Sequence, residues 1–353
     1  MTGENAGRVL LGADDLRRYA AALLQAGGFT EPQARQTAEV LVWANLRGVD
    51  SHGVLRIPRY LEMVADGMID PAATPSIERR DGAVSLLNAR RTPGATAMIA
   101  AMEEAIDRAT QFGIGWCCTR SITHAGAVGF YALEAARRGC IGIVMTASVP
   151  LMAYHGARVS GVSTNPIAIA VPSTGEPIVL DMSTATVALG KIMAARDAGT
   201  AIPDTWGLDD EGAPTTDPKD VATLTPLGGP KGSGLSLMIE IIASLLVSNP
   251  VIAPALEGAK SPGMNGVALA IQIGAVCDLD PFRAEVDRLA TAVRGLPHAA
   301  GVESILMPGE RGFGVEAKRR QEGIPLSVGT FKRLAALGDT YRIATPAALT
   351  SPG

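Results

Sequence analysis

The chain reads as an α/β protein that lacks a standard dinucleotide-binding domain. Three observations predict this. Helical and strand-like segments alternate along almost all of its 353 residues. Their spacing is too irregular for an eight-fold β/α barrel. The G-x-G-x-x-G fingerprint is missing: Gly113-Ile114-Gly115 runs on to Cys118, and Gly232-Ser233-Gly234 runs on to Leu237. A Walker A loop is missing too, because Lys231 is followed by Gly232 rather than Ser or Thr.

The elements follow in order. Leu16 to Gln25 has helical spacing and stops at Gly27-Gly28. Thr30-Glu31-Pro32-Gln33 is a capping box with proline in the first turn, opening a helix toward Leu46. Gly94 to Phe112 is an Ala-rich helix ended by Gly113, and Ile114 to Thr119 is a short apolar strand. The spacing predicts a helix over Ala125 to Arg138, ended by Gly139, then buried strands over Cys140 to Met145 and Pro166 to Val171. Helices are expected over Thr184 to Ala195 and Gly234 to Val247, and a strand over Gly266 to Ile273. Pro281 to Val293 and Arg311 to Glu322 are helices with charged faces. Gly199 to Pro218 and Asn249 to Gly266 are rich in Gly, Pro and Asp and read as loops.

Composition bounds the function. Apolar residues make up 47% and charged residues 19%, enough for a packed core and too apolar for a disordered chain. The length suits two domains: residues 80–300 in the middle, and 1–80 plus 300–353 wrapped around them. With 31 basic and 35 acidic residues, 31 − 35 gives a net charge of −4, which argues against nucleic acid as a partner. The four cysteines, Cys117, Cys118, Cys140 and Cys277, form no C-x-x-C pair, so neither a disulfide scaffold nor a metal site is expected. Residues 1–15 show no basic segment followed by an apolar one, so no signal peptide is expected. The most apolar run, Leu235 to Val247, contains Glu240 and falls short of the roughly 20 residues a membrane span needs. A soluble, cytoplasmic protein with no membrane partner is expected.

Proton-transfer candidates are few, because the chain has only four histidines: His52, His124, His155 and His298. His52 follows Ser51, and Arg56 and Tyr60 come four and eight residues later. If that segment is helical, one face carries a proton donor, a carboxylate clamp and a phenol. On spacing alone, a helix-capping histidine and a surface ion pair are the favoured explanation, because polar pairs four residues apart are common on solvated faces. His124 stands where a strand meets small residues and a helix start, a junction suited to an anion or to close packing. Gly228-Gly229-Pro230-Lys231-Gly232 is either a phosphate cradle with one lysine or a flexible turn.

Seven stretches together resemble the malate/L-lactate dehydrogenase family. They are RGVDSHGVLRIPRY (47–60), THAGAVGFYALEAARRGCIGI (123–143), STNPIAIAVPS (163–173), LDMSTATVALGKI (180–192), GAPTTDP (212–218), LGGPKGSGLSLMIEII (227–242) and MPGE (307–310). The family is of the non-Rossmann type. It includes ureidoglycolate, sulfolactate and diketogulonate dehydrogenases and the piperideine/pyrroline-2-carboxylate reductases. The resemblance implies an α+β-like arrangement: a mixed, largely antiparallel sheet flanked by helices, with a helical domain built from the chain ends. It implies a homodimer or higher homo-oligomer that uses NAD or NADP to move hydride at C2 of a small 2-hydroxy or 2-oxo acid. A ketimine reductase acting on cyclic 2-imino acids is the alternative, and a catalytically silent dimeric homologue is a third reading.

Carried over by position, His52 is similar to the family's proton donor, with Ser51 beside it. Arg56 is similar to the carboxylate clamp, with Tyr60 on the same face. Ser148 and Thr164 resemble positions that touch substrate. His124, Ala125, Gly126, Ala127 and Val128 resemble the turn that contacts the cofactor. In some members the counterpart of His124 carries the acid/base role, so both histidines stay candidates. Asp181, Met182 and Ser183 resemble a second cofactor segment, Lys231 and Gly232 a third, and Gly309, Glu310 and Arg311 a fourth. Lys191 stands near where the imino-acid reductases carry a carboxylate, so Gly190-Lys191-Ile192 is closer to the hydroxy-acid branch; as a catalytic candidate, Lys191 would order His52 or pair with the substrate anion. Two more stretches depart from the family pattern: Tyr154-His155-Gly156-Ala157-Arg158, and NARRTPG over 88–94.

Overall fold

A computed structural model of the chain describes residues 8–259 and 263–349. The first seven residues of the segment read for a signal peptide, and 260–262 of the expected 249–266 loop, lie outside the described residues.

The chain enters through β1 (Arg8–Leu11) and helices α1 (Ala13–Ala26), α2 (Glu31–Leu46) and α3 (Ile57–Ala65). The capping box that opens α2 is formed in full: the Gln33 amide donates to Thr30 Oγ1, and the Thr30 amide donates to Gln33 Oε1. Then come β2 (Ser76–Asp81), β3 (Val84–Asn88), α4 (Gly94–Phe112), β4 (Ile114–Ile122), α5 (Gly129–Arg137) and β5 (Cys140–Ala147). The middle of the chain gives β6 (Met152–Ala153), β7 (Ser160–Val162), β8 (Ile167–Val171), β9 (Ile178–Met182), α6 (Leu189–Ala198), β10 (Gly207–Leu208) and β11 (Thr223–Leu224). It closes with α7 (Pro230–Glu240), α8 (Ile252–Leu256), β12 (Met264–Gln272), α9 (Leu279–Arg294), α10 (Glu310–Glu322), β13 (Ile324–Ser327) and α11 (Val328–Tyr341).

The main sheet has seven strands in the order β2-β3-β4-β12-β5-β8-β9. Only β3 and β4 pair in parallel, so the sheet is mixed and largely antiparallel. Helices cover both faces. On one, α4 packs against β4 and β12 through a ridge of fully buried alanines, Ala97, Ala101, Ala105 and Ala109. The approach is close enough that Gly115 on β4 has no room for a Cβ: one built there meets the Ala105 carbonyl oxygen at 1.8 Å. On the other face, Ile239, Ala243 and Val247 pack with Cys118, Met145 and Val267.

The chain ends share a second core. Strand β1 pairs antiparallel with β13, and α1, α2, α3 and α11 enclose Leu16, Leu23, Leu41, Ile57 and Leu334. A third, small sheet, β10-β11-β6-β7, has its own cluster around Met152, Leu224 and Ile192.

Several element boundaries differ from the sequence expectation. The helix expected from Ala125 starts only at Gly129, because Gly126 takes a left-handed φ of +74° and 123–128 forms an irregular turn. The helix expected from Thr184 starts at Leu189; before it, the Thr184 and Thr186 amides bond to the carbonyls of Thr164 and Thr225. Helix α7 starts at Pro230, which suits a first-turn position, and passes into a π-helical turn over Ile241–Leu245. The expected loops are not wholly irregular, since β10 lies in the first and α8 in the second. Most consequential, residues 50–60 are not one helix. Two short 3-10 turns, Asp50–His52 and Val54–Arg56, precede α3, with Gly53 extended between them.

Candidate active site

The broken 50–60 segment sets the site. Gly53 seats against Asn45 so closely that a Cβ would meet the Asn45 side chain at 2.2 Å, and the Val54 amide donates to Asn45 Oδ1 at 2.9 Å. This turns Ser51, His52 and Arg56 toward one cavity while α3 carries Tyr60 behind it. The cavity has a volume of about 590 Å³, within the range of small-ligand sites.

Its wall brings together much of what the sequence singled out. Ser51, His52, Arg56, His124, Ser148 and Thr164 all line it. So do Ala125, Gly126, Ala127, Val128, Asp181, Met182, Ser183, Gly309 and Arg311. Five expected residues stand outside the wall. Tyr60 is buried behind His124. Lys191 is exposed, with Nζ 5.9 Å from the Trp206 ring centre, although its neighbour Gly190 lines the cavity and touches Ser51. Lys231 is exposed on the first turn of α7, and Gly232 is buried against Leu227 and Thr184. Glu310 turns away to Arg294 and to the Met307 amide.

The two histidines stack, with ring centres 5.5 Å apart and planes 20° from parallel. His52 Nδ1 lies 3.0 Å from Ser51 Oγ. His124 Nδ1 meets Tyr60 Oη at 2.7 Å and the Gly126 amide at 3.3 Å. An amide can only donate, so Nδ1 accepts, Tyr60 also donates to it, and the His124 proton sits on Nε2. Burial, then the Arg56 charge, push His52 down to about 4. Burial, then the charges of His52 and Arg56, hold His124 well below the usual imidazole range. Burial raises Tyr60 above the usual phenol range, which keeps it a donor.

Arg56 Nε donates to the Ser51 carbonyl at 2.7 Å. Its two terminal nitrogens hold no hydrogen bond among the described residues, and so they can clamp a carboxylate. Asp181 faces the cavity with protein around it; its Oδ2 accepts from the Gly129 amide at 2.9 Å. That enclosure pushes its carboxyl up to about 6, against the opposing pulls of the Gly129 amide and Arg47. The side chain is open to the cavity, so water there tempers the push.

A family model described as malate/L-lactate dehydrogenase matches residues 11–335. The chain belongs to the malate/L-lactate dehydrogenase family. It is 32% identical over 341 residues to a malate/(S)-sulfolactate dehydrogenase of Methanothermus fervidus, covering 95% of this chain and 99% of that one. Its fold superposes on a malate dehydrogenase of Entamoeba histolytica with a TM-score of 0.91 at 28% identity, covering 96% of this chain and all of the other. A delta1-piperideine-2-carboxylate reductase of Pseudomonas syringae gives a TM-score of 0.82 at 28% identity, covering 93% and 99%. Family membership makes the chain a dehydrogenase or reductase.

Dehydrogenases of this family use nicotinamide cofactors, and the wall offers groups suited to one. Trp43 Nε1 and Arg47 Nη1 are buried donors on the wall with no hydrogen-bond partner. Arg47 Nη1 reaches Glu316 only at 3.7 Å, beyond hydrogen-bonding distance. Unpaired buried donors are costly; both nitrogens are closed to solvent here, so an oxygen-rich ligand would satisfy them only after a side-chain shift. Close by, Gly309, on the cavity wall at the start of α10, takes a φ of +92°, and a Cβ there would stand 3.0 Å from the Val179 carbonyl oxygen. Sequence reasoning passed over Trp43 and Arg47. Their signal was faint: Arg47 opens the stretch 47–60, but its partners Phe313, Glu316 and Gly309 lie more than 250 residues further on.

Proposed function

We propose that this member of the family moves hydride between NAD or NADP and C2 of a small 2-hydroxy or 2-oxo acid, with His52 handling the proton. The observation that carries the reading is one cavity wall on which a free guanidinium edge stands beside two stacked, neutral histidines. Arg56, its Nε held by Ser51, grips the substrate carboxylate with its terminal nitrogens. Neutral His52 takes the hydroxyl proton during oxidation and returns it during reduction. Arg56 disfavours the imidazolium, and a carboxylate bound to Arg56 offsets that charge, so His52 gains basicity as substrate arrives. His124, with Nδ1 occupied by two donors, presents its Nε2 proton as a hydrogen-bond donor. Ser148, its Oγ 2.6 Å from Ser163 Oγ, and Thr164 offer hydroxyls to the substrate. The nicotinamide, when bound, supplies or accepts the hydride.

We assign the cofactor to the part of the wall that carries Trp43, Arg47, Asp181, Gly309 and Arg311. No step rests on Lys191, Lys231, Gly232 or Glu310, whose roles would require reach from outside the wall.

The likeness to the piperideine-2-carboxylate reductase supports a second reading, reduction of a cyclic 2-imino acid, for which the same clamp and proton donor serve. The test is a panel of 2-oxo acids and cyclic imines, each with NADH and NADPH, followed by absorbance loss. Turnover of an oxo acid supports the first reading and turnover of imines alone the second. Cofactor binding without any turnover would leave the silent homologue.

A further inference from the structure

We propose that the ion pair between Asp50 and Arg319 is a positioning device for His52, set from the far end of α10. This rests on the reading of His52 as the proton carrier. Arg319 Nη1 lies 2.7 Å from Asp50 Oδ1, and Nη2 lies 3.0 Å from Oδ2, a two-pronged pair across 269 residues of sequence. The same Nη1 also donates to the Asn45 carbonyl at the end of α2. Asn45 Nδ2 in turn donates to Asp50 Oδ1 at 2.6 Å, and Asn45 Oδ1 accepts from the Val54 amide. Both ends of the turn, Asp50 and Val54, are therefore tied to one asparagine, and Arg319 fixes that asparagine and Asp50 together. Ser51 and His52 lie between the tied ends.

A simple surface pair would not need this wiring. Arg319 is mostly buried, and its helix has a second attachment. At the start of α10, the Gly309 carbonyl accepts from Arg47 Nη2 at 3.0 Å, and Phe313 lies under the Arg47 guanidinium at 3.7 Å. Gly312 sits against Arg47 without room for a Cβ. Helix α10 thus joins the part of the wall assigned to the cofactor to the turn that carries His52. Neither Asp50 nor Arg319 lines the cavity, although Asp50 is bonded to Ser51, which does; both act through the placement of Ser51 and His52.

The test compares Arg319→Met, Arg319→Lys and Asp50→Asn with wild type, alone and as the Asp50→Asn/Arg319→Met double variant. Misplacing a catalytic group by about 1 Å costs up to roughly 100-fold in rate, so kcat is expected to fall about 10- to 100-fold in Arg319→Met. Nicotinamide affinity by fluorescence should stay within about two-fold, because Arg47 and Gly309 still hold the start of α10. Arg319→Lys should recover part of kcat, and the double variant should be no worse than the single ones. A second readout needs no turnover. With four histidines in the chain, the His52 ring signal can be assigned by NMR from its loss in His52→Asn. Its shift and titration should move in Arg319→Met while the ring chemical shifts of His155 and His298 stay put. Should Arg319→Met not fold, Asp50→Asn, which keeps the side-chain shape, carries both readouts. Folded variants with unchanged kcat and an unmoved His52 signal would overturn the proposal, as would a loss confined to nicotinamide affinity. A wild-type protein that turns over nothing in the substrate panel would defeat the functional reading alone, and the His52 signal would still decide the positioning.

Discussion

Tyr60 and His124, 64 residues apart in sequence, are joined by a 2.7 Å bond from the phenol to Nδ1. Because the Gly126 amide donates to the same nitrogen, the imidazole is fixed as the Nε2–H tautomer. Adding a proton would place it on Nδ1 and break both bonds. His124 is thereby held neutral, while its stacked neighbour His52 has one hydroxyl, Ser51 Oγ, at Nδ1.

The first prediction tests that bond. Tyr60→Phe removes one buried hydrogen bond and should lower stability by about 0.5–1.5 kcal/mol. In long-range nitrogen–proton spectra, wild-type His124 should show an unprotonated Nδ1, and Tyr60→Phe should show a mixture of tautomers. A mixture already in the wild type would contradict the assignment.

How legible the site was follows from how local each part is. Ser51, His52 and Arg56 fall within six residues, so one stretch of sequence exposes them. Their shared helical face was not there, because Gly53 and the two short turns replace the helix. The geometry survives for a reason no periodicity shows: Asn45, upstream on α2, folds the turn onto itself. Four of the seven sheet strands, β4, β5, β8 and β12, were legible in the sequence, whereas β2, β3 and β9 were not; nor was the order, since β12 pairs between β4 and β5 across more than 100 residues. The unusual NARRTPG stretch is also explained only in three dimensions. Arg90 and Arg91 take φ of +52° and +64°, the left-handed region where glycine is the ordinary choice.

Arg56 gives the second prediction. With Nε committed to Ser51, only the two terminal nitrogens can clamp a substrate, and lysine cannot reproduce that pair. Arg56→Lys should cost about 1.5–3 kcal/mol in transition-state binding, which is about 10- to 150-fold in kcat/KM. Steady-state kinetics on the folded variant check it; unchanged values would make Arg56 a mere anchor for the Ser51 carbonyl.

The third prediction is a pH dependence of stability with two opposing parts. His52 is lowered to about 4 in the folded protein against an ordinary 6.5, and His124 is lowered as well. The unfolded chain therefore binds more protons as pH falls below 6.5, and stability drops on acidification. Asp181 is raised to about 6 against 3.8, so the folded protein binds the extra proton there, and stability drops as pH rises from about 4 to 6. Asp181→Asn removes the second part. It should raise Tm relative to wild type at pH 7.5 more than at pH 4, read by thermal melts at both. An equal shift at the two values would show that water in the cavity cancels the effect.

Assembly gives the fourth. Helix α7 and its π turn leave Met238, Leu245 and Leu246 about half exposed or more, and Leu235 and Ile241 partly so. A contiguous exposed apolar face of this kind marks a contact surface. We expect a two-fold homodimer through it. Light scattering should return twice the chain mass, and Leu246→Arg should shift it toward the monomer. A wild-type monomer at all concentrations, fully active, would refute the expectation.

The last prediction separates the two histidines. Hydride arriving at a carbonyl carbon leaves an alkoxide that needs a proton in the same passage. His124 is poorly placed to cycle one, since its Nδ1 is occupied by Tyr60 and Gly126 and burial disfavours its cation. His52 stands beside the Arg56 clamp, and among the described residues only Ser51 Oγ contacts its ring by hydrogen bond. His52→Asn should therefore keep nicotinamide affinity and lose turnover by about 10²- to 10⁴-fold, the scale for removing a general acid. In the oxidation direction, the acid limb of kcat/KM reports the free enzyme, and it should fall well below pH 6.5, toward the value of about 4 set by burial and Arg56. His124→Asn should keep that limb and weaken nicotinamide binding, because the 124–128 turn lines the cavity and resembles the family's cofactor-contacting turn. The opposite pattern, a nearly normal His52→Asn and an inactive but cofactor-saturated His124→Asn, would move the proton to His124.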